Sequence, residues 1–78
     1  MKEEVGKRLK ECRKALKLTQ AEVAQVLGVA QPVYLRFEKG IYECSYEQLV
    51  KLANLFDVTI DFLLGRSGFW QKSLAEAI

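Results

Sequence analysis

Seventy-eight residues, half of them apolar, fit one small domain whose core can hold without staples. None is histidine, which removes the commonest general base and the commonest metal ligand, and two cysteines alone cannot complete a structural zinc site. The net charge of +2 is uneven: residues 1–17 carry +4, residues 18–40 balance, residues 41–58 carry −2 and residues 59–78 balance again.

A positive amino-terminal segment on a nearly neutral body is compatible with phosphate contact, although lysine-rich helix faces are ordinarily just solvated. The chain shows no signal peptide and no apolar run of transmembrane length, so a reducing, cytoplasmic setting is expected, with no membrane partner. Cys12 and Cys44 read as a core thiol and a loop thiol rather than a disulfide. No metal and no cofactor is expected.

Residues 3–17 read as a first helix. Val5, Leu9, Cys12 and Leu16 form one apolar stripe at helical spacing, and most other positions are Lys, Arg or Glu. Gly6 weakens its start, while Lys14 and Lys17 suit the negative pole at its end.

Thr19 is a good N-cap for a second helix over residues 20–27, with Glu22 at the capping-box spacing and Leu18 and Val23 placed for a hydrophobic staple. Val23, Ala24 and Leu27 make its buried face. Gln20 sits in its first turn, where backbone N–H groups are free and the dipole end is positive; such a helix start binds phosphate readily. Gly28 can take the left-handed conformation that ends a helix.

Residues 31–39 read as a third helix, with Pro32 where a first turn tolerates it and Gly40 closing it. At about 100° per residue, Tyr34, Phe37 and Glu38 share one side and look like core. Pro32, Leu35, Arg36 and Lys39 share another, with Gln31 and Val33 at its margins. A face mixing small apolar groups with amide and guanidinium suits the DNA major groove, where thymine methyls accept apolar contact, Gln pairs with adenine and Arg with guanine. Glu38 points inward and needs a basic partner from the first helix; Arg13, flanking the Cys12–Leu16 stripe, is the best placed. Helix, glycine turn, helix is the outline of a helix-turn-helix.

Residues 40–44 read as a loop. Ser45 caps a fourth helix, with Gln48 completing a second capping box and Leu49, Leu52, Ala53 and Phe56 as its apolar face. Asp57 ends it. Thr59 caps a short fifth helix whose Ile60, Phe62, Leu63 and Leu64 close the core, and Gly65 ends that. The extension over residues 66–78 follows. Phe69, Trp70, Leu74 and Ile78 would line one strip of a sixth helix, too short to stand alone in water: it packs on its own domain, meets a second copy as a dimer contact, or frays. No segment alternates as a strand does.

With these residues placed, the chain from about Leu9 to Gly65 resembles the phage-repressor and Cro-type helix-turn-helix family, often called XRE-like regulators. The resemblance rests on the runs LKLTQAEVAQVLGVAQ, YLRFEKG and LVKLANLFDVTIDFLLG. It implies an all-α, five-helix, lambda-repressor-like DNA-binding domain over residues 1–65, with 66–78 as an extension. It also implies a homodimer on a near-palindromic site in double-stranded DNA. By matching position, Gln31, Pro32, Val33 and Arg36 face the bases. Gln20 meets a phosphate at the start of the second helix, and the backbone of the loop around Lys39, Gly40 and Tyr42 meets the opposite phosphates. Arg13 and Glu38 hold the positions of a buried ion pair, which the helix-face count reaches separately. Three positions depart from the family pattern. Ala30 stands where a capping Ser or Thr is usual, Cys44 where a proline is usual, and Leu35 is an unusual outward residue.

The expected function is a sequence-specific DNA-binding transcriptional regulator, acting as a repressor by covering a promoter. The alternative is a protein-interaction module of the same fold, such as an antitoxin or phage accessory factor. Salt dependence separates the two. An enzyme is not expected, because no nucleophile–base pair, phosphate loop or metal-ligand cluster is visible.

Overall fold

The fourteen-residue α1 (Lys2–Ala15) opens the fold of the computed structural model, which describes residues 1–66. It is followed by α2 (Gln20–Leu27), α3 (Gln31–Glu38), α4 (Tyr46–Phe56) and α5 (Ile60–Leu63), and there is no strand among the described residues. The candidate dimer contacts Phe69, Trp70, Leu74 and Ile78 lie outside the described residues.

Three of the five starts carry the expected caps. The Thr19 hydroxyl accepts from the Glu22 amide at 3.1 Å while the Glu22 carboxylate accepts from the Thr19 amide at 2.8 Å. Ser45 and Gln48 repeat the arrangement for α4, and the Thr59 hydroxyl accepts from the Phe62 amide at 2.9 Å for α5. Each box satisfies two backbone donors that a helix start leaves orphaned. Ala30 offers α3 no side-chain cap, as its methyl group dictates.

The helix ends share one device. At each of the five, the first or second residue past the helix takes a positive φ, and the next amide reaches back five residues to a carbonyl of the helix. Three of these residues are glycines; the other two are Lys17 and Asp57. Lys17 explains why α1 is shorter than the periodicity predicts. The helix stops at Ala15, and Leu16, expected in the buried stripe, lies half in solvent beside the turn.

Leu9, Val23, Tyr34, Leu52, Val58 and Leu63 are essentially without solvent contact and form the centre of the core. α3 lies against both α1 and α2, while α4 and α5 close the core from the other side. Leu18, Cys12 and Cys44 pack on this cluster, and burial pushes both free thiols up to about 11. They are poor nucleophiles at neutral pH.

Gly6 does more than weaken a helix start. A Cβ there would sit 2.5 Å from the Glu38 carbonyl oxygen and 2.6 Å from that of Phe37. Backbone meets backbone at this crossing, and only hydrogen fits. Gly40 repeats the pattern from the α3 side: its missing Cβ would meet the Glu3 Cα at 2.8 Å, and its φ of 74° is in the left-handed region. The carboxyl end of α3 is thus pressed into the amino-terminal half of α1 at two glycines.

Candidate nucleic-acid interface

α3 is divided lengthwise. Tyr34, Phe37 and Glu38 are buried, and the Tyr34 and Phe37 rings meet edge to face with centroids 6.4 Å apart. On the opposite side Gln31, Pro32 and Arg36 are exposed. Val33 and Leu35 lie between these limits, and Val33 also packs on the core, so only part of its side chain is open. Leu35 is half-buried at the edge of the outward face.

The buried side is fixed by a charged network. Arg13 donates through Nε to Glu38 Oε2 at 2.6 Å and through Nη2 to Oε1 at 3.2 Å, the two-pronged geometry that suits guanidinium and carboxylate. Its Nη1 donates to the Leu18 carbonyl at 3.0 Å, so the same side chain also ties down the turn between α1 and α2. The Glu38 side chain is only 3% exposed. Burial alone would push its carboxyl up. The hydrogen bonds donated by Arg13 and Gln20, with the Arg13 charge, outweigh that, and the net shift is below the usual carboxylate range. The Tyr34 hydroxyl is buried beside this carboxylate without meeting hydrogen-bond geometry. Desolvation first, then the Glu38 charge, push the phenol upward.

Gln20 joins this network, which residue spacing did not reveal. Its Nε2 donates to Glu38 Oε1 at 3.1 Å, drawing the side chain towards the α2–α3 contact. An amide nitrogen carries two hydrogens, so one remains for an outside acceptor.

Arg36 is not loose on the surface. Its Nη1 donates to the Pro32 carbonyl one turn back at 3.1 Å, and its Cζ lies 5.7 Å from the centre of the Tyr42 ring. The Tyr42 ring in turn meets Phe37 edge to face at 6.4 Å. The loop after α3 is folded back on the helix. The Gly40 amide donates to the Phe37 carbonyl at 3.1 Å, and the Ile41 and Tyr42 amides donate to the Arg36 carbonyl at 2.9 and 3.3 Å. These three amides are therefore occupied, and a phosphate meeting this loop would find side chains: Lys39 and Tyr42 are both exposed, whereas Gly40 is buried.

Among the described residues there is no group of three or more His, Cys, Asp or Glu side chains able to hold a metal, and no helix is long and apolar enough to cross a membrane.

Comparison with known proteins follows the same outline. A family model described as helix-turn-helix matches residues 9–63, from within α1 to the end of α5. YqaE of Bacillus subtilis (strain 168), an uncharacterized HTH-type transcriptional regulator, is 45% identical over 56 residues, covering 72% of this chain and 48% of its own length. The cryptic phage CTXphi transcriptional repressor RstR of Vibrio cholerae is 37% identical over 62 residues, covering 80% of this chain and 55% of its own. The crystal structure of the restriction-modification controller protein C.AhdI from Aeromonas hydrophila matches with a TM-score of 0.72 at 29% identity, over 80% of this chain and 94% of that one. The chain spans about half the length of the two curated relatives. It belongs to the phage-repressor and Cro-type (XRE-like) helix-turn-helix family of transcriptional regulators.

Proposed function

We propose that this chain binds double-stranded DNA sequence-specifically as a homodimeric repressor, with α3 in the major groove and no catalytic step. The observation that carries this reading is the division of α3. One side is fixed to the core by Tyr34, Phe37 and Glu38, and the other presents Gln31, Pro32 and Arg36 to solvent. A rigid helix with an open amide, an open guanidinium and small apolar groups matches what base edges in the major groove offer. Gln31 and Arg36 supply hydrogen bonds, and Pro32 with the open part of Val33 supplies apolar contact to thymine methyls.

Phosphate contacts set the register. At one end the α2 start and the second amide hydrogen of Gln20 face a phosphate; at the other Lys39 and the Tyr42 hydroxyl do so, with Gly40 allowing the turn. These contacts position the domain and leave the reading of sequence to α3. In a dimer, two copies of α3 enter successive grooves about one turn apart. The strip of Phe69, Trp70, Leu74 and Ile78 is the proposed dimer contact, and Trp70→Ala in sedimentation experiments tests it: a variant still dimeric at the wild-type concentration overturns that assignment.

The main test is selection of bound sites from a random DNA pool, followed by binding of Arg36→Ala. The expected loss is about 1–3 kcal/mol with relaxed preference at one base pair per half-site. Loss of affinity with unchanged preference would remove Arg36 from the base-reading set. A partner-holding module is the second reading, and the exposed Ile41, Tyr42 and Tyr46 side chains favour it. Retention of binding at high salt would decide for that reading.

A further inference from the structure

We propose that Tyr42 is a specificity-determining residue of this interface, acting as a positioning residue whose ring orients the Arg36 guanidinium for base contact. The proposal rests on the base-reading role of Arg36 argued above.

An arginine on an open helix face has a long, freely rotating side chain, and fixing it on a base edge costs rotamer entropy. Here that freedom is already reduced. The guanidinium has one hydrogen bond to the Pro32 carbonyl, at 3.1 Å, and lies 5.7 Å from the Tyr42 ring centre, within cation–π range. The ring is itself braced. It meets Phe37 at 6.4 Å with the planes 68° apart, and Phe37 meets the fully buried Tyr34 at 6.4 Å and 86°. A run of three aromatic rings thus leads from the core to the guanidinium. The backbone holds the ring in place as well, since the Tyr42 amide donates to the carbonyl of Arg36 itself. Four of the five guanidinium N–H donors remain for a base edge.

The ring does this work; the hydroxyl does not. A phosphate contact from the hydroxyl is common to all sequences and cancels in a ratio of affinities. The readout is therefore the ratio between the selected operator and one changed at the Arg36-dependent base pair. Tyr42→Leu is expected to lower this ratio about 3- to 10-fold. Tyr42→Phe is expected to recover it, whatever it does to affinity overall. In an Arg36→Ala background, Tyr42→Leu is expected to change the ratio no further, because the two act as one unit. Without DNA, the Arg36 side-chain protons should show a ring-current shift in the wild type and Tyr42→Phe and lose it in Tyr42→Leu. A Tyr42→Leu protein with the wild-type thermal melt, the wild-type ratio and no change at the Arg36 protons overturns the proposal. So does a Tyr42→Phe protein with the Tyr42→Leu ratio. If Arg36→Ala leaves the base preference intact, the reading beneath falls and takes this one with it. If Arg36→Ala abolishes the preference and Tyr42→Leu does not alter it, only the positioning role falls.

Discussion

Glu38 shows how a single residue can be costly and necessary at once. Taking a carboxylate out of water is unfavourable, and only the two-pronged Arg13 contact and the Gln20 amide make it tolerable. Removing its charge leaves Arg13 buried without its partner, so Glu38→Gln is expected to cost roughly 3 kcal/mol in urea unfolding at pH 7. The pH dependence has a definite sign. The folded carboxyl lies below its ordinary 4.5, so its contribution is complete above that value and is lost as pH falls through the lower, folded one. Unfolding curves from pH 7 down to pH 3 should show the wild-type advantage over Glu38→Gln narrowing on the acid side of 4.5. A constant difference would mean that the carboxylate is not held by its partners as described.

At the scale of the element, α3 is short and poorly started but firmly finished. Its N-cap position has the extended backbone that a cap requires, with φ −69° and ψ 148°, but alanine has nothing to accept a hydrogen bond. Ala30→Ser is expected to gain about 1 kcal/mol, seen as a Tm rise of ~4–8 °C for a domain of this size. Its other end depends on Gly6 from α1. Gly6→Ala drives a methyl group into the Phe37 and Glu38 carbonyls, where neither side is a flexible chain end. The expected cost is about 1–3 kcal/mol from overpacking, together with weakened DNA binding as α3 shifts. Calorimetry and operator binding on the same variant would check both. The two substitutions act at opposite ends of one helix, and only the second should disturb the interface.

At the scale of the molecule, charge should decide the mode of binding. Each phosphate neutralised by a cation contributes about −0.9 to the slope of log affinity against log salt. Lys39→Ala is therefore expected to make that slope shallower by about 1 per bound chain while leaving base preference unchanged. An unaltered slope would place Lys39 away from the backbone. This scale also shows what was legible in the sequence. Capping residues and glycines act locally, so Thr19, Ser45, Thr59, Gly28, Gly40 and Gly65 marked helix boundaries correctly. The pairing of Arg13 with Glu38 followed from helix faces, because an inward carboxylate admits few solutions. Other features depend on where separate elements meet. Lys17 ends α1 in a conformation that lysine seldom adopts, so nothing in its type announced the stop. Gly6 reads in the sequence only as a weak helix start, and its part in the crossing of α1 and α3 shows only once the two helices are packed. The Arg36–Tyr42 contact depends on the path of a loop, and Gln20 turning to Glu38 depends on how α2 lies against α3.

The lengthwise division of α3 also has an evolutionary consequence. Residues that hold the fold and residues that face outward alternate along one helix, and they lie on opposite sides of it. Drift at Gln31, Pro32 and Arg36 can proceed with little penalty to folding, so duplicated copies of such a gene could acquire separate targets without passing through unfolded intermediates. Position 36 is the constrained member of that set. Its guanidinium rests on Tyr42, and lineages that replace one should be found to have replaced the other.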